Sequence, residues 1–174
     1  TPVFRNYLED QFKFVGCLSS QVIEKLSVRL YSAYLYANWS EDKMWRRHFP
    51  LVDLDYGTAP IGDRILQSRL IVFSYESTGV LELLAGNVPM IIFYNSNNWP
   101  LRPEAKRYYD LLIEVGIFHS SAESAAQKVN EIWDDISSWW GKDVVQKARK
   151  EFCDQFVRMP QHPIRELKKA LLSI

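Results

Sequence analysis

Cysteine is nearly absent from this 174-residue sequence: Cys17 and Cys153 stand far apart, which excludes a disulfide framework and a cysteine-ligated metal cluster and points to a reducing compartment. Histidine is almost as scarce. His48, His119 and His162 share no metal-ligand spacing and have no carboxylate cluster beside them, so no bound metal is expected. Charge of one sign is missing as well: 21 basic and 21 acidic residues cancel, and nothing in the net charge marks a nucleic-acid or anionic-membrane surface. No nucleic-acid partner is expected. No apolar run approaches membrane-spanning length and no signal-peptide pattern opens the sequence, so the expected location is cytoplasmic. A Gly-x-Ser-x-Gly elbow, a Walker loop, a Rossmann glycine fingerprint, internal repeats and low-complexity tracts are all lacking.

The remaining composition, 47% apolar and 24% charged, is that of a globular chain of one domain or slightly more, long enough to bury a real core. Along it, short apolar runs alternate with amphipathic stretches. Residues 3–15 carry a helical pattern, and 17–20 read as a turn or a second helix start. Residues 26–31 read as a strand with Arg29 near its carboxyl end, 41–48 as a short helix, 51–54 as a strand, and 60–67 as a helix opened by Pro60. Strands over 70–73 and 90–93 follow, with a helix between them. Beyond lie a helix burying Tyr108, Leu111, Leu112 and Val115 and ended by Gly116, a strand over 117–119, and a long helix through Ile136 opened by a capping box at 120–123. From Gly141 onward the chain reads as helical, with breaks at Pro160 and Pro163. This alternation predicts an α/β fold, a Rossmann-like parallel sheet with helices on both faces plus C-terminal helices. The expected division is a nucleotide-sugar-binding domain over 1–140 and a helical extension over 141–174 that packs on it.

Residues 68–93 carry the most chemistry. Leu70 to Phe73 and Met90 to Phe93 are continuous apolar runs, as in strands buried on both faces. Between them Ser74, Ser77, Thr78 and Gly79 place hydroxyls and flexible backbone at a helix start, where unpaired N–H groups and the positive dipole end suit a phosphate. Glu82, placed in the first turn, would accept hydrogen bonds from a ribose diol. The same residues also fit an ordinary capped helix with an acid near its start. Arg29 could grip a diphosphate in bidentate fashion or form an ion pair at a sheet edge. The polar loop 94–103, with Asn98 and Arg102, follows a strand at the edge where open α/β sheets place ligands. Asp53-Leu54-Asp55 spells a two-carboxylate cation motif and equally a turn after a strand. His119 reads either as a ligand-edge or as a structural histidine, and Trp139-Trp140 either as a stacking platform or as an anchor for the last helices.

Four segments, in order, resemble the C-terminal domain of two-domain GT-B glycosyltransferases, and within them a bacterial family of transferases linked to surface carbohydrate biosynthesis. They are Val28 to Tyr31, Ser68 to Val72 running into Ser77 to Glu82, Trp99 to Arg102, and Gly116 to His119 leading through Ala125-Ala126 and Asn130 to Trp139-Trp140. The resemblance implies a metal-independent enzyme without cofactor, whose helix start binds the diphosphate of a nucleotide-sugar donor, with Glu82 toward the ribose and Arg29 stabilising the leaving phosphate. It implies a carbohydrate acceptor and a catalytic base held by a further, N-terminal domain, and peripheral membrane association of the full protein. Since the sequence begins at Thr1 and enters a helix directly, a longer protein is expected, with this segment inactive alone. Two other activities would use the same cradle: a sugar-nucleotide epimerase or hydrolase, and a non-catalytic nucleotide-binding or scaffold module. Tyr75-Glu76 departs from the pattern, because a carboxylate beside a phosphate site repels it unless it points away.

Overall fold

The computed structural model describes residues 2–31, 40–95, 100–158 and 162–172. Two parallel ladders organise them. Strand β1 (Ser27–Arg29) pairs with β2 (Asp53–Asp55), Arg29 opposite Asp55. Strands β3 (Ile71–Phe73), β4 (Met90–Phe93) and β5 (Phe118–His119) form a three-stranded sheet with β4 in the centre. Parallel neighbours cannot be joined by a hairpin, so each connection crosses over and contains a helix. Helix α3 (Glu41–His48) joins β1 to β2, α4 (Ile61–Gln67) leads from one ladder to the other, and α5 (Thr78–Ala85) and α6 (Pro103–Glu114) join β3 to β4 and β4 to β5. The chain opens with α1 (Pro2–Gly16) and α2 (Ser20–Ile23), and closes with α7 (Ala122–Ile132), α8 (Ile136–Trp140), α9 (Asp143–Phe156) and α10 (Pro163–Leu172). The fold is α/β and Rossmann-like. The sheet expected as one resolves into a two-stranded and a three-stranded ladder.

The apolar run of β4 explains the core. Met90, Ile91, Ile92 and Phe93 are each 2% exposed or less, and consecutive strand residues point to opposite sides, so both faces of β4 are covered. Helix α7 packs on β4, β5 and α1, while α9 packs on α6 and α5. Ala125 and Ala126 are fully buried, their small side chains matching the close approach of α7 to the sheet. Among the described residues, no helix is long and apolar enough to cross a membrane.

The helix ends are set by specific caps. The left-handed residue that stops α5 is Asn87 (φ 54°), which with Gly86 and Pro89 marks this helix end in the sequence, and Val88 N–H to Leu83 O with Asn87 N–H to Leu84 O completes a Schellman cap. Asparagine serves there because its carbonyl and side-chain oxygens both accept from Trp140 Nε1, at 3.2 and 3.0 Å. Helix α7 is capped by Ser121 rather than Ser120: its Oγ accepts from Ser124 N–H at 3.2 Å, so the box is built of two serines. The long helix is interrupted at Trp133–Asp135 by a 3₁₀ turn, after which Asp135 caps α8 through Ser138 N–H at 2.9 Å. The helical run is broken before Pro163, which opens α10, its missing N–H falling where no intrahelical partner exists, while Pro160 lies outside the described residues.

Candidate functional site

At the carboxyl end of β3 the chain turns through 74–77 and starts α5. Ser77 is the N-cap residue, with extended backbone and no side-chain cap bond; Val80 N–H bonds to its carbonyl. The N–H groups of Thr78 and Gly79 have no acceptor among the described residues, so two amides and the helix dipole face the sheet edge. Gly79 allows a close approach: a Cβ there would lie 3.0 Å from Phe73 Cζ and 3.2 Å from Cε1, so the ring would have to give way. Its absent side chain lets the helix start rest on the ring that ends β3. The site's floor is thus local sequence, Phe73 below and Thr78-Gly79 above.

Ser74 is tied to α1. Its Oγ accepts from Gln11 Nε2 at 3.0 Å and donates to the Tyr7 hydroxyl at 3.4 Å. Burial pushes the Tyr7 hydroxyl up from its ordinary pKa, and Glu41 stands close enough to add to this. Glu41 is itself buried, and burial raises its carboxyl above the usual range. Glu82 needs correction: α5 begins at Thr78, which makes Glu82 its fifth residue rather than part of the first turn. It is exposed and stands about 6 Å further along the helix axis than Thr78, so a ligand that meets both must run along α5.

Glu76, the residue that seemed to oppose a phosphate, is drawn aside. Its Oε1 accepts from the Tyr109 hydroxyl of α6 at 2.7 Å. Next to this pair, directly after β4, Tyr94 is 3% exposed, and its buried hydroxyl lies beside that of Tyr109. Burial, then the nearby Glu76 charge, pushes the Tyr94 hydroxyl far above its ordinary pKa, and burial with the Glu76 bond does the same to Tyr109. Both stay neutral donors. Phe118 holds the two rings, edge-on at 4.9 and 5.5 Å.

Arg29 lies elsewhere, on the two-stranded ladder. Its Nη1 meets Asp55 Oδ2 at 2.9 Å and its Nη2 donates to Ala59 O at 3.1 Å. Arg64 Nε approaches the same oxygen at 3.3 Å, and Gly57 N–H donates to Oδ1 at 2.9 Å. Gly57 has φ +76°, the left-handed turn that brings its N–H back onto Asp55. Of the two readings of Arg29, the geometry displays the ion pair; among the described residues no hydrogen bond or ion pair joins it to the start of α5. Asp53 accepts from Ser27 Oγ at 2.7 Å and is exposed, while Asp55 is buried.

Arg102 is the exposed N-cap residue of α6, its carbonyl accepting from Ala105 N–H at 2.9 Å, with no side-chain cap bond. Asn98 lies outside the described residues. His119 Nε2 sits 3.1 Å from Gly116 O, an acceptor only, so Nε2 carries the proton and Nδ1 accepts from Ser124 Oγ at 3.1 Å. Burial lowers its pKa. The indole N–H groups of Trp139 and Trp140 bind Val115 O and Asn87, and both rings are buried, which makes the pair an anchor. The structure therefore brings Ser74, Ser77, Thr78 and Gly79 together, with Glu82 one turn along, and adds Tyr7, Glu41, Glu76, Tyr94 and Tyr109. Glu76 was visible in the sequence as a carboxylate beside the phosphate site and Tyr94 by its place immediately after a buried strand; Tyr7, Glu41 and Tyr109 carried no such signal.

Compared with protein families, residues 2–171 match the model described as LIC12162 family transferase. No curated protein and no solved structure matches the chain.

Proposed function

The chain belongs to the LIC12162 family of transferases, and on that premise we propose that it is the donor-binding half of a glycosyltransferase, which moves a sugar or related group from a nucleotide diphosphate donor to a surface-carbohydrate acceptor. One observation carries the reading: Thr78 and Gly79 offer unpaired N–H groups at the start of α5, on the carboxyl edge of a parallel sheet. When the bond to the donor group breaks, negative charge develops on the departing diphosphate. Amides and a helix dipole already aimed at it stabilise that charge without reorganising. In this reading Glu82, exposed one turn further on, accepts hydrogen bonds from the ribose hydroxyls.

Metal-independent binding belongs to the same proposal. Asp55 is already neutralised by Arg29 and Arg64 and bonded by Gly57 N–H, and a carboxylate so engaged is a poor cation ligand. The acceptor and the catalytic base are assigned to another domain of a longer protein, because transfer needs acceptor and donor held together in near-attack geometry. The test is titration calorimetry of the chain with UDP, CDP and GDP, with and without a chelator. Saturable binding of at least one, unchanged by chelator, is expected. No heat at millimolar ligand favours a scaffold role, and binding only with added magnesium overturns the metal-independent reading.

A further inference from the structure

Exposed large apolar side chains are scattered over the described surface, as on any globular protein. Helix α10 gathers them. Ile164, Leu171 and Leu172 are 82%, 64% and 78% exposed, and Arg165, Lys168 and Lys169, the other side chains described on this helix, are exposed as well. The apolar side of a helix ordinarily turns toward the core. Here the described part of it faces outward.

Spacing places these residues on one side of the helix. Ile164, Lys168 and Leu172 follow one another at intervals of four, and Leu171 stands three after Lys168, so the lysine starts from among the apolar residues. That decides what can cover them. A dry protein surface would take the ammonium out of water together with its apolar neighbours, and a second copy of the chain, meeting the same face, would bring a second ammonium beside the first. A bilayer surface accepts both kinds of group: apolar side chains enter the acyl boundary, while a lysine lays its stem beside them and leaves its charge among the headgroups. The charge fits too. Helix α10 carries Arg165, Lys168 and Lys169 against Glu166 alone, on a chain whose 21 basic and 21 acidic residues cancel overall, and a local basic excess is drawn to anionic lipid.

We propose that α10 is a membrane-surface helix, which lies at the headgroup boundary of a bilayer containing anionic phospholipid, with Ile164, Leu171 and Leu172 in the acyl margin and Arg165 and Lys168 on lipid phosphates. The inference uses no residue of the donor-binding reading and stands or falls without it.

Co-sedimentation of the chain with phospholipid vesicles tests it. Phosphatidylcholine vesicles with about 30% phosphatidylglycerol should carry the chain down roughly tenfold better than phosphatidylcholine alone, and raising the salt to about 0.5 M should abolish the difference. Ile164→Ser/Leu171→Ser and, separately, Lys168→Glu should each weaken binding to the anionic vesicles about tenfold. Both variants should keep the wild-type melting temperature, because the side chains they change are exposed. A wild-type chain that stays in the supernatant with anionic vesicles, or variants that sediment as well as it does, overturns the proposal. So does a lower melting temperature in either variant, which would show this side of α10 packed on the chain itself. A dimer seen by light scattering that Ile164→Ser/Leu171→Ser dissolves overturns it as well, by showing that a second copy covers the face.

Discussion

Replacing Asp55 by asparagine removes one charge from the protein and almost nothing of its shape. The carboxylate, 3% exposed, takes Arg29 Nη1 at 2.9 Å and Arg64 Nε at 3.3 Å on Oδ2, and Gly57 N–H at 2.9 Å on Oδ1. Asparagine keeps the Gly57 bond but turns an amide NH₂ toward two guanidinium groups. The lost charge-assisted bond to Arg29 contributes about 1.5–3 kcal/mol. Arg64, 41% exposed, adds less than about 1 kcal/mol. Water reaches Arg29, whose side chain is 31% exposed, so the cost stays below the ~3–5 kcal/mol of a fully buried pair broken on one side. The net loss should be about 2–3 kcal/mol. In urea unfolding followed by tryptophan fluorescence, a slope of about 2 kcal/mol/M turns this into a midpoint lower by roughly 1–1.5 M. The double variant Asp55→Asn/Arg29→Gln should lose clearly less than the sum of the singles, since they share one interaction. Additive losses, each under about 0.5 kcal/mol, would refute the structural pair and return the Arg29 guanidinium to the list of groups available to a diphosphate.

Gly116→Ala should cost about 1–2 kcal/mol in the same assay, because the residue has φ +76° and an added Cβ would lie 2.8 Å from Lys128 Cε; an unchanged midpoint would contradict the left-handed cap. His119 gives a pH signature. Burial lowers its folded pKa from the ordinary 6.5, so on acidification the unfolded chain takes up a proton that the folded chain refuses. Its stabilising contribution is complete above the unfolded pKa and is lost as pH falls through that value toward the folded one. His119→Gln should flatten the slope of stability between about pH 7 and 5.5, and an identical slope in both proteins would contradict the half-buried neutral ring.

Local order was legible in the sequence and pairing across distance was not. Met90 to Phe93 reads as a doubly buried strand because two covered faces leave no polar position, and the structure shows that run as β4. Glu41 to His48 reads as a helix from its acidic start and basic end, and forms α3 over those residues. By contrast, Arg29 meets Asp55 across 26 residues and Tyr109 meets Glu76 across 33. Such contacts depend on which strands become neighbours, and no periodicity encodes that. The end of α5 at Gly86, Asn87 and Pro89 was legible, but the bond that Trp140 makes to Asn87 from 53 positions away was not. Glu82 moved out of the first turn by a smaller cause: the helix starts at Thr78, and caps set by one or two hydrogen bonds are where sequence boundaries slip.

The central claim is that an anion of the donor sits on the first two amides of α5. Amide NMR spectra of the ¹⁵N-labelled chain, titrated with the nucleoside diphosphate that calorimetry selects, test it directly. The Thr78 and Gly79 resonances are expected to shift first and saturate together, with Glu82 following and the Asp55–Gly57 turn unmoved. Saturable shifts centred on Arg29, Gly57 and Arg64, with Thr78 and Gly79 unchanged, would place the anion on the other ladder and contradict the account.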